Sequence, residues 1–107
     1  MDSKIQKSVQ NLTADILESE IYIEYQKQLA LVKEQPELKA KIDEFRIRNL
    51  ALQTGENTTF EQLDSFEREY EDFRENPLVD KFLASELALC RMLQRVNRAL
   101  IEAIDFE

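Results

Sequence analysis

One glycine and two prolines in 107 residues leave this chain few places to turn. A sandwich or barrel of short strands needs a turn roughly every 8–12 residues, usually built on Gly, Pro, Asn or Asp. A fold made of long helices needs only a handful. The apolar spacing agrees with helices. Ile5, Val9, Leu12 and Ile16 recur at steps of four, three and four, one face of a 3.6-residue period. The expected fold is all-α: one domain over residues 1–107, an elongated helical bundle of about five helices with a long C-terminal helix.

The breaks are written in capping chemistry. Ser3 and Gln6 have the spacing of a capping box, so the first helix is expected to start near residue 4. Ser19 is a cap for a second helix with the stripe Tyr22, Tyr25, Leu29 and Val32. Pro36 suits the first turn of a third helix carrying Leu38, Ile42, Phe45 and Leu52. Gly55 follows where a left-handed C-terminal cap would fall. After the loop 54–59, Thr59 with Gln62, or Thr58 with Glu61, opens a fourth helix bearing Phe60, Leu63, Phe66, Tyr70 and Phe73, read as core. Asn76 and Pro77 end it and begin the last helix, which runs without Gly or Pro to about Asp105. Its span of roughly 40 Å exceeds what a compact globule of this size requires. It carries two apolar stripes, Val79, Phe82, Leu89, Leu93, Val96 and Leu100 beside Leu83, Leu87, Cys90, Ile101 and Ile104. One stripe covers the rest of the protomer; the second leads us to expect a dimer, with Leu93 and Ile101 as interface positions.

Charge narrows the partners. The net charge is −8, and the excess is local: eight acids lie between Glu56 and Asn76 against Arg68 and Arg74. Such a field repels phosphate backbones and anionic lipid, so direct nucleic-acid or membrane binding is not expected. No apolar run approaches the length of a spanning helix. The opening Met1-Asp2-Ser3-Lys4 lacks a signal-peptide core, and a lone cysteine cannot close an internal disulfide. Both agree with a cytoplasmic location.

Catalytic chemistry finds little to work with. The chain has no histidine, which excludes a His-based triad or His-ligated metal. Glu67 and Glu71 stand one turn apart, but no second carboxylate motif answers them on another helix. A solvated acidic face, or a docking surface for a basic partner, is the reading for this pair. Arg91, Arg95 and Arg98 form a basic edge, assigned to pairing with the acidic fourth helix within the protomer or across a dimer; a nucleic-acid face is the alternative. Cys90 on the inner stripe reads as a buried, unreactive thiol. Glu86, Gln94 and Asn97 interrupt the apolar surface, either to hydrogen-bond across helices and fix register or to face water at its rim. No catalytic residue, metal or cofactor is assigned.

Three stretches carry a resemblance. Ser19-Glu20-Ile21-Tyr22-Ile23-Glu24-Tyr25 matches a Ser-x-x-Tyr-x-x-Tyr pattern. Pro36-Glu37 leads into Ile42-Asp43-Glu44-Phe45. Asn76-Pro77-Leu78-Val79 continues through Phe82-Leu83-Ala84 and Glu86 to Asp105-Phe106. In order and spacing the chain resembles the YlbF/YmcA family of small helical regulatory proteins of Gram-positive bacteria. The resemblance implies an all-α fold, dimers or association with related helical subunits, and a cytoplasmic role in competence, sporulation or biofilm control through ribonuclease Y-dependent RNA processing. It supplies no catalytic residues. Some members carry a cysteine-bearing tail associated with iron–sulfur binding; with Cys90 alone, that cofactor is not carried over.

Overall fold

The computed structural model describes residues 2–104, which form six helices and no strand. They are α1 (Ser3–Leu17), α2 (Glu20–Lys33), α3 (Pro36–Thr54), α4 (Phe60–Glu69), α5 (Glu71–Glu75) and α6 (Pro77–Ala103). The predicted end of the last helix at Asp105 lies outside the described residues.

Capping explains most of the boundaries. The Ser19 hydroxyl accepts from the Tyr22 N–H at 3.2 Å. Thr59 and Gln62 close a reciprocal capping box, at 3.2 and 3.0 Å. Asn76 accepts from the Leu78 N–H at 3.0 Å, with Pro77 in the first turn where its missing N–H costs nothing. Two expectations change. Asp2, not Ser3, caps α1, its carboxylate accepting from Lys4 and Ile5. Gly55 is not left-handed; it sits at φ −70°, ψ 133°. Close approach is what requires glycine there, because a Cβ would lie 2.7 Å from the Thr58 hydroxyl, which donates to the Leu52 carbonyl.

The fourth predicted helix is two. Tyr70 takes φ −104°, ψ 9°, bending the chain between α4 and α5. The bend brings Phe66, Tyr70 and Phe73 onto Phe45 of α3, with ring centroids 5.4, 5.1 and 5.9 Å from it. These rings join Val32 of α2, Ile42 of α3, and Val79 and Phe82 of α6 in the core. Tyr25 of α2 packs on Phe82 at 5.8 Å. Phe60, read as part of the aromatic core stripe, is 82% exposed. Its place at the first residue of α4 points it away from the cluster.

The molecule is thin. Its extents are 48 × 37 × 19 Å and its radius of gyration is 17.8 Å, against about 13 Å for a compact chain of this length. A thickness of 19 Å accommodates about two helix layers, each roughly 10 Å across. Much apolar surface therefore has nothing above it. No residue of α1 is buried, and its stripe Ile5, Val9 and Leu12 faces solvent. In α6 the buried positions Val79, Phe82 and Ser85 all lie in the first third.

Candidate interaction surface

Beyond Ser85, α6 is a helix with two different edges. Leu89, Met92 and Val96 are half-buried, whereas Leu87, Leu93, Leu100, Ile101 and Ile104 are exposed. Leu93 and Ile101, expected at an interface, are 45% and 50% exposed within the protomer. Cys90 is also exposed, which corrects its reading as a buried thiol. The stripe it occupies packs on the core at Leu83, and from Leu87 onward the protomer leaves it exposed. Leu87 and Cys90 reach a groove of about 550 Å³ whose other walls include Leu50 of α3 and Leu63 of α4.

The arginine edge does not meet the acidic helix within the protomer, which leaves its pairing across a dimer as an expectation. Arg91, Arg95 and Arg98 make no ion pair among the described residues; the acidic segment is served instead by α3. Arg48 donates to Glu69 at 2.7 Å and to the Tyr70 hydroxyl at 3.1 Å. The Tyr70 hydroxyl donates to Glu44 at 3.2 Å. The guanidinium also lies over the Phe66 and Tyr70 rings, 5.5 and 5.3 Å from their centroids. One arginine thus clamps the bend from outside. Sequence spacing gave no sign of it, since Arg48 and Glu69 are 21 residues apart. Glu86, left open between two roles, ties helices together by pairing with Arg46 of α3. Gln94 and Asn97 are exposed in the protomer.

The clamp gives stability a pH dependence. The Arg48 hydrogen bond holds the Glu69 carboxyl below its ordinary range. A depressed carboxylate contributes stability that is present above the unfolded-state pKa, about 4.3, and is lost as pH falls through the folded value. Desolvation raises the Tyr70 phenol despite the opposing Arg48 bond. Its contribution is full below about pH 10 and is lost as pH rises through the folded value. Urea titrations of wild type and Glu69→Gln should therefore differ at neutral pH and converge in acid. A gap between them that persists at about pH 2.5 would contradict this role for the pair.

Glu67 and Glu71 line a shallow cleft with Asp64, Glu75, Arg68 and Arg74 along the outside of α4 and α5. Arg68 reaches back to Asp64 at 3.2 Å. Among the described residues, no group of three or more His, Cys, Asp or Glu is gathered as a metal site would be. Gln28 was not anticipated: it is 4% exposed on α2, donating to Glu24 at 2.8 Å while its amide oxygen has no partner among the described residues.

These features define an all-helical protein whose distinctive surface is uncovered apolar helix rather than an enclosed cavity. Among the described residues no helix is long and apolar enough to cross a membrane. The chain belongs to the YlbF/YmcA family: the family model described as control of competence regulator ComK, YlbF/YmcA, matches residues 5–105. That family is a regulatory one. Comparison with curated proteins and with solved structures gave no match.

Proposed function

We propose that this chain is a non-enzymatic cytoplasmic regulator that works by protein–protein contact, as a homodimer or beside a related helical subunit. The observation that supports this best is the uncovered apolar face of α1 and of the last two-thirds of α6. These side chains are about half exposed, so completing the burial of each contributes about 0.8–1.5 kcal/mol, and a protomer gains nothing by leaving so many in water. Family membership supports the regulatory half of the reading, and we place that regulation in competence, sporulation or biofilm control through ribonuclease Y-dependent RNA processing.

Light scattering at tens of micromolar should return twice the protomer mass. A monomer that also ignores a co-expressed helical relative would overturn the proposal. One observation favours a second reading, in which the three arginines of α6, without an ion pair among the described residues, bind nucleic acid directly. Salt separates the two. Phosphate contacts weaken steeply as counterions compete, whereas apolar association between chains of net charge −8 holds or tightens.

A further inference from the structure

From Leu87 onward the exposed edge of α6 follows a heptad. Leu87, Cys90, Gln94, Asn97, Ile101 and Ile104 fall at alternating steps of three and four, the seam of a two-stranded coiled coil. All six are exposed in the protomer. The seam is apolar at its two ends and polar at its centre, so it is complementary to itself when reversed. Taking the homodimer reading as its basis, we infer that two copies pair α6 against α6 in antiparallel fashion, centred between Gln94 and Asn97.

In that register each seam residue meets one of matching character. Leu87 lies opposite Ile104 of the second copy, Cys90 opposite Ile101, and Gln94 opposite Asn97, whose amides can exchange hydrogen bonds across the pair. Each contact occurs twice by symmetry. Leu93 and Leu100 flank the seam and widen it on one side. The reversed direction follows from bulk. Core packing occupies the first third of α6, so a parallel pair would bring both bodies to the same end, whereas an antiparallel pair sends them to opposite ends. Reversal also sets each helix dipole against its opposite. The groove beside Leu87 and Cys90 then receives the C-terminal end of the other α6, with Ile101 and Ile104 approaching Leu50 and Leu63. On the far flank Arg91 meets Arg98 of the second copy, so salt should tighten this pair.

Cysteine placement tests the register. In the antiparallel pair Cys90 is about 16 Å along the axis from its own symmetry mate, eleven residues at 1.5 Å each, beyond disulfide reach. Under mild oxidation wild type should stay uncrosslinked, while Ile101→Cys should link Cys90 of one copy to the new thiol of the other. Adding Cys90→Ser should abolish the link. Circular dichroism confirms that each variant is folded. Self-crosslinking of Cys90 in wild type, a link that survives Cys90→Ser, or no link in a species of dimer mass would overturn the antiparallel seam and leave the dimer standing. Monomer mass would overturn both.

Discussion

Phe82→Ala should destabilise the protomer by about 3–5 kcal/mol, the range for truncating a buried aromatic ring. Phe82 is fully buried and connects three helices: it sits on α6, packs on Tyr25 of α2 at 5.8 Å, and lies under the Arg46 guanidinium of α3 at 6.0 Å. The loss is large relative to the whole, since domains of this size have roughly 5–15 kcal/mol in total. It should also be poorly relieved by relaxation. Among the described residues eight hydrophobic side chains form the buried cluster, and the neighbours Val32, Ile42 and Val79 are β-branched with restricted rotamers. Urea or thermal unfolding followed by circular dichroism measures it. Ile47→Ala is the contrast: that side chain is 70% exposed on α3 and should change stability by less than about 0.5 kcal/mol. Equal effects at the two sites would mean that the core does not lie where Phe82 places it.

The separation between Phe82 and Ile47 was legible in the sequence only in part. Boundaries marked by local chemistry could be read directly: Ser19, Pro36, the Thr59–Gln62 box and Asn76-Pro77 each act through bonds or sterics within a few residues. The bend at Tyr70 carries no such mark. It arises because Phe66, Tyr70 and Phe73 all pack on Phe45, and because Arg48 holds the Tyr70 hydroxyl from a distant helix. A periodic pattern without Gly or Pro reads as one unbroken helix, so tertiary packing was invisible to it. The same limit explains Cys90 and α1. Apolar periodicity says that a face is to be covered; it does not say by which chain. Ile5, Val9 and Leu12 have the spacing of a buried stripe and remain exposed, just as Ile101 does. The arginine edge shows the same limit for charge. Matching charges between α4 and α6 said that the two could pair, not in which protomer; within this one Glu69 faces Arg48 of α3.

Ile101→Glu should convert the assembled protein into a folded monomer. In the protomer the side chain is 50% exposed at the end of a helix with no buried residue beyond Ser85, so a carboxylate there costs the monomer fold little. In the dimer it would be buried against Cys90 of the second copy, and a charge taken out of water without a partner is strongly disfavoured. Ile101 is already half covered in the protomer, so losing the rest of its burial removes about 0.8–1.5 kcal/mol per site. Two symmetric sites weaken association by roughly one to two orders of magnitude, at about 1.4 kcal/mol for each tenfold change, and the buried charge adds to that loss. Leu93→Glu, at the flank, should act in the same direction with a smaller effect. Light scattering and circular dichroism on the same samples separate the cases. Mass should halve while the helical signal persists, since each protomer keeps the apolar cluster around Phe45, Tyr70 and Phe82. If helicity collapses along with mass, Ile101 belongs to the fold of the protomer. If mass is unchanged, the dimer is held by the α1 face, and Val9→Glu should then release it.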